Sequence, residues 1–296
     1  SRRPDLDESL ILDAMEKSGC IGYKIGLESG NPDVLRQVHK PTNLAKFFEF
    51  SERARSYPKM FTAVNFIMGF PGETFSQMRD SFATALSARL DWNSFYVYQH
   101  LKNTELYIAY GGTSGGVIET EDGKDGQLPT FNPVRSGGFE GNYAANEDIL
   151  TGYEVFDHTA DIAPGRAQLR EIWFTFNIVA NFLRMPALFS DSEARLRNSI
   201  LWMKALCQAY PSDPSMSCLL YFLQRRSGAP VSDLETLQNL TIKNLKASDY
   251  WMWRDSQFGF SSFLDGIIPE ADPCVDALLA SGPPNARRDN LGQKVL

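Results

Sequence analysis

The chain has 296 residues, with 29 Lys+Arg against 36 Asp+Glu and three His, for a formal net charge of −7. No basic run is richer than Arg2-Arg3, Arg225-Arg226 or Arg287-Arg288, so the chain lacks the cationic stripe of a nucleic-acid clamp, and no nucleic-acid partner is expected. Hydrophobic residues make up 43% and aromatics 12%, enough to bury a core in one large domain or two small ones.

The first residue is Ser1, and no charged segment followed by an apolar one resembles a signal peptide. The longest near-apolar stretch, Ile172 to Leu183, is broken by Thr175, Asn177 and Asn181 and is well short of the ~20 residues of a membrane span. Cysteines stand at 20, 207, 218 and 274, too far apart for a CxxC metal knuckle or a disulfide framework. A reducing cytoplasm and no membrane are therefore the expectations.

From Leu6 to Tyr110 helical and strand-like periods alternate, which predicts βαβ units around a parallel sheet. Asp5 or Asp7 can cap a helix carrying Leu10, Ile11, Ala14 and Met15 and stopped by Ser18-Gly19. A strand over Cys20 to Leu27 follows. Asn31-Pro32 opens a helical stretch that breaks at Pro41 and resumes from Thr42 or Asn43 to about Ser56. Phe61 to Met68 predicts a second strand, closed by Gly69-Phe70-Pro71-Gly72. A helix from Thr74 to Leu90 and a third strand from Ser94 to Gln99 come next. Residues 111–166 hold Gly pairs among few aliphatics and predict a long irregular connection. Beyond Arg166 the chain turns helical: Ala167 to Met185 has a wide apolar face ended by Pro186. Ser190 to Glu193 and Ser232 to Glu235 have the pattern of capping boxes. Asp213-Pro214 predicts a capped helix closed by Gly228. The expected division is thus 1–110, 111–166, a helical unit over 167–280, and a tail over 281–296.

In parallel α/β folds, ligands meet the C-terminal ends of the strands. Three clusters qualify. Glu28 and Ser29 stand between Gly26 and Gly30; a carboxylate there has no capping task that Ser29 or Asn31 could not perform, which points to a ligand. Glu73 follows the Gly69 to Gly72 turn, placed by its spacing in a first helical turn, where helix-dipole stabilisation competes with a binding role. His100 ends the third strand with Gln99, Lys102, Asn103 and Thr104, and is equally readable as a ligand or as a structural His. His39 reads as a solvated surface residue, His158 as a bystander, Cys20 as core, and Trp251-Met252-Trp253 as helix packing.

Two runs resemble a known family. Gly19 through Pro32 (GCIGYKIGLESGNP), with Val34-Leu35 and Lys40-Pro41-Thr42, resembles the fourth strand and following helix of radical SAM enzymes, especially those with an N-terminal cobalamin-binding domain. Phe66 through Thr74 (FIMGFPGET) resembles the fifth strand and its turn, in the same order and spacing. The resemblance covers about residues 3–107. It implies the last strands of a (β/α)6 barrel, in which a 4Fe-4S cluster reduces S-adenosylmethionine to a 5′-deoxyadenosyl radical. By the same resemblance, Glu28 and Ser29 contact the ribose or methionine part of that cofactor. Ile67 and Gly69 pack on its adenine, supported by Gly72 and Glu73, and His100 ends the sixth strand. The implied reaction is radical methyl transfer or rearrangement on an unknown small-molecule or peptide substrate, with a flavodoxin or ferredoxin as electron donor and cobalamin as a possible second cofactor.

Three departures stand out. The sixth-strand Pro-x-Pro-Gly-Thr pattern is replaced by His100-Leu101-Lys102-Asn103-Thr104, Asn65 stands where many members have glycine, and the cluster-binding CxxxCxxC is absent. The expectation is a C-terminal fragment of a longer enzyme, inactive alone, with no catalytic residue or metal ligand of its own. Two other readings remain open: a glycosidase-like barrel using Glu28 and Glu73 as its carboxylates, and a non-catalytic barrel serving as a binding module.

Overall fold

A computed structural model describes residues 8–40, 42–98, 105–106, 151–157 and 162–281. The first part is a three-stranded parallel sheet of order β1-β2-β3, with β1 Gly22–Glu28, β2 Phe61–Met68 and β3 Trp92–Val97. Helix α1 Glu8–Lys17 precedes it, α2 Pro32–Gln37 and α3 Leu44–Ala54 connect β1 to β2, and α4 Phe75–Ala88 connects β2 to β3. The open parallel sheet agrees with the α/β expectation. A short helix, α5 Glu154–Asp157, lies within the segment expected to be irregular. The rest is mostly helical: α6 Arg166–Ile178 continuing into a π-helical turn Val179–Leu183, a 3₁₀ turn Pro186–Leu188, α7 Glu193–Ala209, α8 Pro214–Arg226, α9 Val231–Lys246, α10 Asp249–Phe258, a second 3₁₀ segment Phe260–Asp265, and α11 Pro273–Ala280.

The element starts follow side-chain capping. Asn31 accepts hydrogen bonds from the Asp33 and Val34 N–H groups to open α2, and Asn43 accepts from Lys46 N–H to open α3. Thr74 and Gln77 form a reciprocal capping box at α4. Asp213 caps α8 as expected, with Pro214 at its first position. Two other starts differ from the sequence pattern. Helix α7 is capped by Ser192 rather than Ser190, whose hydroxyl instead accepts the Ser192 N–H. Helix α9 starts one residue after Pro230 and uses no side-chain cap, because proline's fixed φ already suits the chain for helix entry.

One face of the sheet is covered by helices. Phe66 and Phe95 stack at 5.1 Å between ring centroids, and Phe82 of α4 meets Phe95 at 6.2 Å and Phe176 of α6 at 4.6 Å. A contiguous apolar core runs from these residues through Phe182, Met203 and Leu219 to Phe263 and Val275. The sheet and the helical part therefore share buried surface, which supplies most of the stabilisation available to helices of this length.

The two sheet edges are finished differently. At β3, Asn181 accepts the Asn93 N–H at 2.7 Å and donates to the Asn93 carbonyl at 2.6 Å. One turn earlier, Asn177 accepts the Phe95 N–H and donates to the Phe95 carbonyl, which also receives the Trp173 indole N–H at 2.8 Å. Two carboxamides spaced by four residues on a helix thus match alternate residues of the strand, supplying the hydrogen bonds that a fourth strand would make. Behind them, Glu171 of α6 is buried in an ion pair with Arg254 of α10; Arg254 Nη2 donates to Glu171 Oε2 at 2.7 Å, and its second nitrogen contacts Oε1. The guanidinium lies 3.9 Å from the Phe174 ring centroid and 4.3 Å from that of Trp253. At the other edge, β1 pairs with β2 alone among the described residues.

Candidate functional site

The C-terminal ends of β1 and β2 meet at one face of the fold. The β1–β2 register slips between Gly26 and Glu28, a bulge that leaves Glu28 with φ +73°. Left-handed backbone at a non-glycine residue costs about 1–2 kcal/mol. Its carboxylate is partly exposed and accepts a hydrogen bond from Lys40 Nζ at 2.9 Å. Gly26 makes room for this arrangement: a Cβ there would sit 2.6 Å from Glu28 Oε1 and 3.5 Å from Lys40 Nζ. His39, beside Lys40, also has positive φ, +53°. Its exposed ring lies 3.3 Å from Glu105, in keeping with the surface position expected for it.

Ser29 faces inward. It is fully buried, its hydroxyl shares a hydrogen bond with Ser81 of α4 at 3.1 Å, and it accepts the Asn31 N–H. Ser81 also accepts the Gly30 N–H, and Asn31 Nδ2 donates to Asp80 at 2.8 Å. A Cβ on Gly30 would lie 2.7 Å from the Ser81 Cα, so glycine lets the β1–α2 loop lie against α4. Ser29 fastens the loop from which Glu28 projects.

At the end of β2, Gly69 and Gly72 have φ of +79° and +77°. The turn between them brings Glu73 back on itself, so that Oε2 accepts the Gly69 N–H at 2.6 Å and the Phe70 N–H at 3.1 Å. The cap of α4 is Thr74; Glu73 therefore lies before the helix, and the expected first-turn placement is corrected. Its interaction is with the turn's N–H groups. Burial pushes the Glu73 carboxyl up to about 8, opposed by those two hydrogen bonds. Its Oε1 is buried and has no hydrogen-bond partner among the described residues. Ile67 packs on a small cluster of Val34, Phe70 and Tyr98 that covers the strand ends, and Gln37 of α2 donates to the Pro71 carbonyl at 2.8 Å.

His100 and its neighbours Gln99, Lys102, Asn103 and Thr104 lie outside the described residues, as does His158. The structure thus brings Glu28, Ser29, Ile67, Gly69, Gly72 and Glu73 to the ends of two adjacent strands. Lys40 belongs to the family-like run with no role assigned by it, and the structure shows it as the partner of Glu28. Its position just before the break at Pro41 is the available signal, since a chain reversal there returns it toward the strand end. Trp251 is buried in the core as expected of helix packing, whereas Met252 of the same run is exposed.

The fold and the site define a parallel α/β sheet with glycine-rich strand ends that hold a carboxylate–ammonium pair. Among known proteins, a stretch of 106 residues is 28% identical to the ribosomal protein uS12 methylthiotransferase RimO of Thermoanaerobacter sp. (strain X514), covering 35% of this chain and 24% of that enzyme. The likeness is distant and partial. The chain spans about a quarter of the length of that relative. No family model and no solved structure matches. No helix among the described residues is long and apolar enough to cross a membrane.

Proposed function

We propose that the chain forms the part of a radical SAM barrel that binds S-adenosylmethionine from the ends of β1 and β2, within a protein performing radical methyl transfer, methylthiolation or rearrangement. The observation that carries this reading is the strained, partly exposed Glu28 paired to Lys40, on a bulge where a side chain at position 26 would displace the Glu28 carboxylate from its place. A carboxylate suits ribose hydroxyl donors, and an ammonium suits the carboxylate of a methionine moiety. Ile67 and the glycine-lined turn provide an apolar wall beside them. Ser29 acts by fixing the loop, and Glu73 by holding the turn through two N–H groups. When bound, S-adenosylmethionine supplies the electrophilic sulfonium whose reductive cleavage is the superfamily's chemistry.

A 4Fe-4S cluster does not fit this chain. Its four cysteines are far apart in sequence, Cys218 is buried in the helical part, and no group of three or more metal-ligating side chains occurs among the described residues. No step is assigned through a cluster; we propose that its ligands and the electron donor, a flavodoxin or ferredoxin, belong to the larger assembly. The carboxylates also argue against glycoside hydrolysis. Glu73 is buried with one oxygen committed to the turn and cannot reach a glycosidic oxygen, which leaves Glu28 without the second carboxylate that the reaction needs.

Isothermal titration of S-adenosylmethionine tests the reading. Binding is expected in the wild-type chain and about tenfold weaker or worse in Glu28→Ala, since a charge-assisted hydrogen bond contributes about 1.5–3 kcal/mol. Equal affinity in wild type and Glu28→Ala would remove that residue from the site, and no binding by either would sink the proposal.

A further inference from the structure

The sheet has a second face, away from α4, and its middle carries a row of polar side chains that the proposed cofactor contacts do not use. Gly26, Asn65 and Ser94 are register partners across β1, β2 and β3 and therefore point to the same side. Two residues along on the same face, Ile67 neighbours Tyr96, and two residues back Lys24 neighbours Ala63. In a strand reading Phe-Thr-Ala-Val-Asn-Phe-Ile-Met, an asparagine at the centre is unfavourable for packing alone. The next strand repeats the anomaly with Ser94 directly beside it.

Among the described residues, Asn65 Oδ1 is left over, and Ser94 has only the Tyr96 phenol near it. Asn65 Oδ1 and Ser94 Oγ are both shielded from solvent, and neither has a hydrogen-bond partner of good geometry among the described residues. Ser94 is wholly buried; its hydroxyl is near enough to the Tyr96 phenol to oppose the rise that burial imposes on it. Stranded polar atoms in a sheet are costly, and adjacent ones in register are unusual enough to require a reason. Asn65 itself is partly exposed, and the sheet surface beside it on β1 is open. Gly26 has no side chain and is exposed, Lys24 is exposed beyond it, and β1 pairs with β2 alone among the described residues. The Glu28–Lys40 pair overhangs the same spot, because a Cβ on Gly26 would point at Glu28 Oε1.

We infer that Asn65 and Ser94 form a recognition site for a carboxamide or peptide amide of the substrate, lying on the sheet face beside the Glu28–Lys40 pair. An amide presents a donor and an acceptor on one edge, and the asparagine carboxamide presents the complementary pair, so two parallel hydrogen bonds satisfy Asn65 whichever way its amide is turned. The Ser94 hydroxyl, able to donate or accept, completes the set. A carboxylate would leave the Asn65 oxygen facing another acceptor, and an ammonium would leave the amide nitrogen facing another donor. The inference goes beyond the cofactor reading and does not depend on it: loss of S-adenosylmethionine binding at Glu28 leaves it standing.

The test is an NMR titration of the full chain with three small probes of matched size: acetamide, acetate and methylammonium. Acetamide is expected to give saturable shifts at the backbone amides of Gly26, Asn65 and Ser94, in the millimolar range that so few atoms allow. Asn65→Leu should abolish these shifts and Ser94→Ala should weaken them about fivefold. Both variants should melt no lower than wild type, since each removes a stranded polar atom; that check separates loss of binding from loss of fold. Saturation by acetate or methylammonium in place of acetamide overturns the inference, as does the absence of saturable shifts with all three, or shifts that survive Asn65→Leu.

Discussion

The two edges of the sheet solve the same physical problem in different ways. A strand edge exposes N–H and C=O groups that must find partners. At β3 those partners are the carboxamides of Asn177 and Asn181, presented by a helix that is itself held from behind by Arg254. At β1 no described element pairs beyond the strand. The contrast shows that the sheet is terminated on the β3 side by design of the helical part, and that its capacity to add a further strand lies on the β1 side. The proposed part of a barrel fits this polarity, since further strands would extend from β1.

The largest way to break the sealed edge is to remove its support. Arg254→Met leaves Glu171 buried without its ion-pair partner, and should lower the unfolding free energy by about 3–5 kcal/mol, measured by urea denaturation. A smaller effect comes from the ladder. Asn181→Leu strands both backbone groups of Asn93, whereas Asn177→Leu strands only the Phe95 N–H, because Trp173 still serves the Phe95 carbonyl. At about 1–3 kcal/mol for each buried group left unsatisfied, Asn181→Leu should cost roughly twice as much. Equal costs would mean that shape, not hydrogen bonding, seals the edge.

A pH series sharpens the comparison at the strand ends. The Glu73 carboxyl is raised to about 8 in the folded chain, while an unfolded glutamate titrates near about 4.3. Between these values the native state holds more protons than the unfolded one, so Glu73 contributes stability that is present at low pH and lost as pH rises toward 8. The slope is on the order of 1 kcal/mol per pH unit. Asp213, raised by burial to about 7, acts in the same direction over a lower window. Glu73→Gln keeps an acceptor for Gly69 and Phe70 but cannot ionise. It should reduce the slope of the stability curve between pH 7 and 8, where the Asp213 contribution falls from about half to about a tenth of its full value; an unchanged slope there would contradict the buried carboxyl. The smallest expected effect is kinetic: amide exchange should be slower at Asn93 and Phe95 than at β1 positions not bonded to β2.

Much of the fold was legible because its signals are local. Alternation, Asn-Pro and Asp-Pro starts and the Gly69–Gly72 turn marked β2, α2, α8 and the end of β2 within a few residues of where they lie. The sealed edge was not legible: Asn177 and Asn181 interrupt an apolar run and read only as reasons against a membrane span, since their partners are about 80 residues away in sequence. The same limit applied at the site. Glu28 stood out from its flanking glycines, but its pairing with Lys40 depends on a chain reversal after α2. Ser29 looked like a ligand until its bond to Ser81, 52 residues on, became visible. Glu73 was placed in a helical turn because the spacing does not reveal that Thr74 takes the cap.

The central claim is that the glycine-rich ends of β1 and β2 bind S-adenosylmethionine together. Amide hydrogen exchange with and without that ligand tests it most directly, because it maps binding without requiring turnover. Protection is predicted at residues 26–30 and 67–73 together, and should disappear in Glu28→Ala. Protection confined to the helical part beyond residue 190, or none at either strand end at saturating ligand, would contradict the account.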